Sequence, residues 1–273
     1  MEIPKLGLWT RKVKDKKIIE DALSIGYRHF DTAWIYSNEK LVGEAINDSW
    51  IQRDKLWITT KVWFDYVPNY QEHTFTKSDF WYTQLDERLK VTFHDLGDTY
   101  IDLVLLHRPT YEDNDAYAFE KLLTYKKEGR INHIGVSNFP KKQLEILYTR
   151  FWREIEYEQV EMHACLGNTE LEQFCKEKNI QLVGYSPLWH GHLLKSDILI
   201  MLAKKEKITV AQLCIAYLLA KGVTVIPKAS SYERLLENYW AKEITLCEET
   251  MKEIDKLEKH YRYNNPPFAP EWE

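Results

Sequence analysis

The stretch "YRHFDTAWIYSNE", residues 27–39, begins with the character of a strand and continues as a loop with reactive groups. Its first five residues are mainly aromatic and apolar, as in many strands, and Asp31 ends them. Tyr36 follows just before a segment that resembles a helix. A core strand that ends in a carboxylate and is followed by a phenol indicates a functional site at its carboxyl end.

Seven other segments resemble strands, with stretches of helical periodicity between them. Several are almost continuously apolar, as expected for parallel strands that are covered on both faces. These segments are 6–10 (LGLWT), 56–61 (LWITTK), 101–107 (IDLVLLH), 132–137 (NHIGVS), 157–162 (YEQVEM), 181–186 (QLVGYS) and 223–228 (VTVIPK).

The intervening segments are amphipathic. Residues 14–26 place their apolar side chains on one face and end at Gly26, and residues 209–222 repeat the pattern. Eight strands that alternate with helices predict a (β/α)₈ barrel, an α/β fold that we expect to form one domain over residues 1–273. An open doubly wound sheet is the alternative, but the G-x-G-x-x-G motif typical of it does not occur.

The composition excludes several classes of function. The 273 residues are 44% apolar and 29% charged, which is ordinary for a globular protein. A net charge of −5 argues against nonspecific binding to nucleic acid or anionic membranes, and no apolar run reaches the length of a membrane span. We therefore expect a cytoplasmic monomer. We also expect free thiols, since no CxxC pair occurs among Cys165, Cys175, Cys214 and Cys247.

Polar residues recur at the carboxyl ends of the predicted strands, where the reactive groups of such barrels lie. An aspartate, a lysine and a histidine end three successive strands, which is difficult to ascribe to chance. The residues at or near these ends are Thr10, Asp31, Lys61, His107, Ser137, Asn138, Gln159, Tyr185, Ser186 and Lys228.

These residue types permit one particular chemistry. Buried Lys61 and Asp31 should pair, because an unpaired buried charge is costly. A lysine cation beside the phenol of Tyr36 would lower its pKa and make it a general acid near neutral pH. His107 would orient a carbonyl group and stabilise charge on its oxygen. Such a set protonates an oxygen while hydride reaches the adjoining carbon, so a reduced nicotinamide is the expected partner.

A series of motifs, in order along the chain, resembles that of the aldo-keto reductases, (β/α)₈ enzymes that bind NADP(H) without a Rossmann motif. The short start "IPKLGLWT" and the ending "APEWE" are most similar to the bacterial branch that reduces 2,5-diketo-D-gluconate and methylglyoxal. The other motifs are "FDTAWIYSNE", "ITTKVW", "DLVLLHRP", "IGVSNF", "EQVEMH", "GYSPL" and "IPKASSYERLLEN".

The resemblance implies NADPH-dependent reduction of small aldehydes or ketones, with Asp31, Tyr36, Lys61 and His107 as the catalytic residues. It assigns Ser137, Asn138 and Gln159 to the nicotinamide carboxamide and Tyr185 to the face of the ring. It assigns the remaining cofactor contacts to Thr10, Ser186, Leu188, Lys228, Ala229, Ser230, Arg234, Glu237 and Asn238. Lys228 and Arg234 would bind the 2′-phosphate, which favours NADPH over NADH. Trp63 and Arg108 are assigned to the substrate pocket.

Three residues depart from the family's pattern. Trp9 stands where glycine is usual, Arg108 stands where tryptophan commonly follows the histidine, and Ala229 replaces a common serine or threonine. We expect Arg108, if it faces the pocket, to bind an anionic group of the substrate. Ala229 removes one hydroxyl contact to the cofactor.

Two other classes of function compete with a reductase. A metal-dependent barrel enzyme needs several converging ligands, and the nearest local cluster is His190 and His192 in "WHGH". We expect no metal there, and we expect His163 to be a packed strand residue. A regulatory protein that binds NADP(H) with little turnover is the other alternative.

Overall fold

A computed structural model of the chain describes residues 1–63, 66–69, 74–77, 81–97, 99–110, 112–265 and 272. The strands alternate with helices along the chain. The strands are β1 (Leu8–Trp9), β2 (His29–Asp31), β3 (Trp57–Val62), β4 (Tyr66–Asn69), β5 (Thr74–Lys77), β6 (Ile101–Leu106), β7 (Ile131–Ser137), β8 (Tyr157–Glu161), β9 (Gln181–Tyr185) and β10 (Thr224–Ile226).

Eight of these strands form one sheet in the order β1-β2-β3-β6-β7-β8-β9-β10, and all neighbours are parallel. A parallel bridge between Leu6 and Val225 joins the first strand to the last. The backbone N–H of Trp9 also donates to the carbonyl of Pro227 at 3.1 Å. These contacts close the sheet, and the predicted (β/α)₈ barrel is confirmed.

The helices pack around the outside of the sheet and begin and end where the sequence signals indicate. Asp15 caps the first helix by accepting from the N–H of Lys17, and Gly26 ends it with a φ of 118°, which favours glycine. Thr209 and Gln212 form a capping box. The helices are α1 (Lys16–Ile25), α2 (Glu39–Asn47), α3 (Trp81–Asp95), α4 (Glu112–Lys127), α5 (Lys141–Arg150), α6 (Thr169–Lys178), α7 (Asp197–Glu206), α8 (Val210–Ala220), α9 (Tyr232–Trp240) and α10 (Glu248–Asp255).

Alternation along the strands separates two apolar cores. On β6, Leu103 and Leu105 point into the barrel, while Val104 and Leu106 pack against the helices. The interior core consists of Ile3, Trp9, Trp57, Leu103, Leu105, Tyr157, Val183, Tyr185 and Ile226. Since the interior is filled by large side chains, the barrel is a solid support and reactive groups can lie only at its mouths.

The structure differs from the predicted elements in the length of several strands, β2 among them, and in one added ribbon. The first and last barrel strands are shorter than predicted, because the chain closes the barrel there through single bridges and loop hydrogen bonds. An antiparallel ribbon, β4 with β5, follows β3 where we predicted no strand. It includes Pro68, which lacks an N–H and is tolerated on such an edge strand. Among the described residues, no helix is both long and apolar enough to cross a bilayer.

Candidate active site

The alternation that fills the barrel also determines which side chains reach its mouth. Trp57 points inward on β3, so Lys61, four residues further, points inward as well. Leu105 points inward on β6, so His107 continues that row past the end of the strand. The same alternation brings further predicted site residues to this end, namely Asp31, Ser137, Gln159, Tyr185 and Lys228.

A buried ion pair lies at the base of the mouth. The Nζ of Lys61 donates to the carboxylate of Asp31 and, at 2.9 Å, to the carbonyl of Thr32. The two charged side chains are no more than 1% exposed. Gln159 Nε2 donates to the other oxygen of Asp31 at 2.7 Å. Burial raises the pKa of Asp31 and lowers that of Lys61, and each charge opposes the shift of the other. The predicted pairing is therefore present.

Tyr36 is presented by a short 3₁₀ turn, Trp34–Tyr36, that follows β2. Asn38 anchors this turn, because its Nδ2 donates to the carbonyls of Thr10 at 2.8 Å and Val13 at 3.1 Å. The hydroxyl of Thr32 donates to the side-chain oxygen of Asn38 at 2.8 Å. The loops after β1 and β2 are thus tied together, which fixes the position of the phenol.

The phenol oxygen of Tyr36 accepts a hydrogen bond from Nε1 of Trp9 at 2.9 Å. The Nζ of Lys61 lies 5.1 Å from the centre of the Tyr36 ring, and the His107 ring centre lies 5.8 Å from it, at 83°. Burial raises the pKa of Tyr36, the charge of Asp31 raises it further, and the bond from Trp9 opposes both. The expected lowering is wrong as a net effect, since burial and Asp31 outweigh any influence of Lys61, whose ammonium donates to Asp31 and Thr32.

His107 is held as a neutral ring beside the phenol. Burial lowers its pKa well below the usual value, and the nearby charges of Lys61, Arg108 and Arg11 lower it further. Trp63 packs against it, with ring centres 5.5 Å apart. Its buried Nδ1 has no hydrogen-bond partner among the described residues. A neutral imidazole can donate one hydrogen bond to a carbonyl oxygen without adding a charge to this site.

The four residues assigned to the nicotinamide lie together but are bonded to one another or to neighbouring groups. Tyr185 donates to Oδ1 of Asn138 at 2.6 Å, and Asn138 Nδ2 donates to the carbonyl of His107 at 3.1 Å and to Ser137 Oγ at 2.9 Å. The hydroxyl of Ser137 donates to the carbonyl of Gln159 at 2.8 Å. This part of the site is therefore internally satisfied.

A cavity with a volume of about 660 Å³ lies beside the mouth of the barrel and is lined by several cationic side chains. Burial lowers the pKa of Lys228, and the charges of Arg234 and Lys12 lower it further. The buried Oγ of Ser186 lacks a hydrogen-bond partner within the described part of the chain. Leu188, Glu237 and Asn238 also line this cavity. Such a set of groups favours an anionic ligand.

Three residues assigned to the cofactor are not among those that line this cavity. The hydroxyl of Thr10 is buried and donates to the carbonyl of Asp31 at 3.0 Å. Ala229 is buried, and Ser230 is exposed. Thr10 therefore supports the strand end that carries Asp31, rather than presenting a free hydroxyl.

Tyr36 and His107, but neither Asp31 nor Lys61, line a cavity of about 460 Å³ together with Trp63 and Arg108. Arg108 thus faces the pocket, as its role requires. Trp9 and Arg11 line both this cavity and the larger one, so they form the wall between them. Sequence reasoning did not assign either residue to the site. For Trp9, the sequence signal is that it occupies a motif position where the family usually has glycine.

Histidines that were not assigned to the site pack against other side chains of the protein. His163 is buried, lies 3.3 Å from the carboxylate of Glu161 and stacks on Trp189 with ring centres 5.5 Å apart. His190 packs against Tyr263, with ring centres 4.2 Å apart. Within the described ranges, no group of three or more His, Cys, Asp or Glu side chains is placed to hold a metal ion.

Comparison with known proteins identifies the chain's relatives. The model of the aldo/keto reductase family matches residues 6–259. The chain belongs to this family. It is 34% identical over 282 residues to the methylglyoxal reductase DkgB of Escherichia coli O157:H7, with all of both chains covered. It is 36% identical over 274 residues to the glyoxal reductase of Bacillus subtilis (strain 168), covering 98% of this chain and 93% of that one.

A solved aldo-keto reductase has the same architecture. The crystal structure of MGS-M4, an aldo-keto reductase from a Medee basin deep-sea metagenome library, superposes with a TM-score of 0.89 and 34% identity. The match covers 100% of this chain and 97% of that one. The family assignment makes the protein an oxidoreductase that acts on carbonyl groups, and members of this family generally use NAD(P)H.

Proposed function

We propose that the protein reduces a small aldehyde or ketone to an alcohol with NADPH, and that Tyr36 donates the proton. One observation carries the proposal: the phenol of Tyr36 and the imidazole of His107 line one cavity, above the buried pair of Lys61 and Asp31. The relatives named as methylglyoxal and glyoxal reductases support small dicarbonyls as substrates. Diketogluconate is a further candidate from the resemblance of the chain's ends.

Each protein group has a distinct task in this reaction. The raised pKa of Tyr36 keeps the phenol protonated at neutral pH, and donation to the carbonyl oxygen requires that the negative charge left on the phenol be stabilised. The neutral ring of His107 donates to the same oxygen and orients the carbonyl. The Lys61 ammonium, close to the Tyr36 ring, stabilises negative charge that develops on the phenol as the proton leaves. Asp31 holds that ammonium in place.

The larger cavity suits the phosphate end of NADPH. The partnerless hydroxyl of Ser186 suits a diphosphate oxygen, and the converging charges of Lys228 and Arg234 suit the 2′-phosphate. Glu237 and Asn238 also line this cavity and would contact the adenine. When bound, the reduced nicotinamide supplies hydride for the carbonyl carbon. Ser137, Asn138, Gln159 and Tyr185 would hold its ring, in exchange for some of their present bonds.

The wall between the two cavities places a condition on this proposal. A dinucleotide that reaches from the larger cavity to Tyr36 must pass Trp9, whose ring centre lies 5.4 Å from that of Tyr185. We expect the Trp9 ring to tilt away from Tyr185 when the nicotinamide binds, with its hydrogen bond to Tyr36 retained. The same observation favours a second candidate function, a regulatory protein that binds the nucleotide by its phosphate end and turns over little.

A stopped-flow experiment separates the two candidates. NADPH binding is measured by its fluorescence, and NADPH oxidation is then followed with methylglyoxal, glyoxal, diketogluconate, keto esters and aromatic aldehydes. A reductase oxidises NADPH in proportion to the aldehyde supplied and forms the corresponding alcohol. Tight NADPH binding without oxidation by any carbonyl compound would contradict the reductase and support the regulatory protein.

A further inference from the structure

We propose that Arg11 and Arg108 form a carboxylate-binding pair in the catalytic cavity, which selects aldehydes and ketones that carry a carboxylate. This inference rests on the proposed carbonyl reduction and specifies its substrate class. It adds Arg11, from the loop after β1, to Arg108, which follows His107. Both guanidinium groups line the same cavity as Tyr36 and His107.

Arg108 lies within the protein and close to other charged groups. Burial lowers its pKa, the nearby charge of Arg11 lowers it further, and Glu161 opposes the shift. Two cations that share a half-buried cavity repel each other, and an anion between them relieves that repulsion. The cavity that holds the reacting carbonyl is therefore electrostatically prepared for a negative group.

No carboxylate in the described part of the chain forms a salt bridge with Arg11 or Arg108. Other arginines differ, since Arg53 bonds Asp102 at 2.6 Å and Arg150 bonds Glu120 at 2.9 Å.

The carboxylate that attracts Arg108, Glu161, is already engaged. It accepts from the backbone N–H groups of Tyr263 at 3.2 Å and Asn264 at 2.7 Å, and it contacts His163. Glu161 thus binds the segment near the carboxyl terminus and forms no salt bridge with Arg108. The guanidinium of Arg108 keeps its donors for a ligand, and a planar guanidinium matches the two oxygens of a carboxylate.

The two arginines need not contribute equally, because Arg11 also lines the larger cavity. A phosphate of the cofactor could compete for Arg11, whereas Arg108 faces the reacting carbonyl. Substitution of Arg108 is therefore the cleaner test, and the KM for NADPH serves as the internal check on cofactor binding.

The test compares 4-carboxybenzaldehyde with 4-nitrobenzaldehyde, which have similar shape but differ by one negative charge. For Arg108→Met we expect the ratio of kcat/KM for the carboxylate to that for the nitro compound to fall about 10- to 100-fold, as for a lost charge-assisted hydrogen bond. Arg108→Lys should restore part of the ratio, since it keeps the charge but loses the planar fork. Arg150→Met is the matched control, in which the ratio stays at the wild-type value.

An equal loss with both aldehydes would overturn the inference. If the wild-type protein reduces neither of these aldehydes, the proposed reduction is decided by the other carbonyl compounds, and the carboxylate pair can still be tested. Calorimetric titration of benzoate then decides: binding by the wild type that weakens about tenfold or more in Arg108→Met supports the pair. Absent or unchanged binding contradicts it.

Discussion

The two ends of the site differ in how their polar groups are satisfied. At the catalytic end, apart from Nδ1 of His107 and the two arginines, the buried polar groups are hydrogen-bonded within the protein before any ligand arrives, among them Lys61, Asp31, Gln159 and Asn138. At the phosphate end, the positive groups repel one another and the hydroxyl of Ser186 has no partner among the described residues. The first region is organised by the fold, whereas the second has the unsatisfied polar groups that the proposed phosphate ligand would complete.

This difference predicts two kinds of mutational effect. A change at the catalytic end removes a partner from a buried network, so it should alter chemistry or folding. A change at the phosphate end removes an exposed or half-buried cation, so it should alter nucleotide affinity with little effect on stability. The predictions below test that division.

The largest effect is expected at the phenol. Tyr36→Phe removes the proton donor but keeps the ring that packs beside His107, so kcat should fall about 10²- to 10⁴-fold. NADPH affinity, measured by fluorescence titration, should stay near the wild-type value because the phenol does not contact the phosphate end. Loss of NADPH binding in this variant would show that the two ends are not separate.

The next effect concerns folding. Lys61→Met leaves Asp31 buried without its cation, which should lower the free energy of unfolding by about 3–5 kcal/mol. Urea denaturation of the two proteins measures the difference. The double variant with Asp31→Asn should recover part of the loss, since no uncompensated charge then remains. A single variant as stable as the wild type would contradict a structural role for the pair.

A smaller effect is expected at the phosphate end. Arg234→Met should raise the Kd for NADPH about 10- to 100-fold, as for loss of one charged hydrogen bond, and change the Kd for NADH little. The urea midpoint should remain that of the wild type, because Arg234 is exposed at the start of α9. Equal weakening for the two nucleotides would show that Arg234 does not recognise the 2′-phosphate.

Much of this site could be predicted from sequence because strand alternation is a local rule. Once 56–61 and 101–107 are strands in a parallel barrel, the inward positions of Lys61 and His107 follow. The buried pair was predictable for the same reason, since two opposite charges at neighbouring strand ends must compensate each other. These inferences need only the spacing of residues and the cost of burying charge.

Contacts across the mouth could not be predicted in this way. The bond between Trp9 and Tyr36 joins two loops, and its existence depends on how the first strand closes the barrel. The direction of the Tyr36 pKa shift was missed for a related reason: sequence places Lys61 near the phenol but does not show that its donors are already used. Arg11 enters the site only because its loop forms the wall between two cavities.

The smallest effect, and the sharpest test of how the two ends communicate, concerns Trp9. Trp9→Phe keeps an aromatic ring in the wall but deletes the N–H that donates to the phenol oxygen. Because that bond favours the phenolate, its loss should raise the already raised pKa of Tyr36. Tyr36 then loses its proton only at higher pH. In a plot of kcat for reduction against pH, the decrease on the alkaline side (the alkaline limb) should therefore move to higher pH.

The value of kcat on the plateau should fall about two- to tenfold, the worth of one ordinary hydrogen bond. Trp50→Phe is the matched control, because Trp50 is 95% exposed and far from any role in the wall. A purely structural role for Trp9 would lower kcat at every pH and leave the alkaline limb where it is. An upward shift with preserved NADPH affinity would instead show that the indole, placed where the family usually has glycine, tunes the acid at one end of the site while it closes off the other.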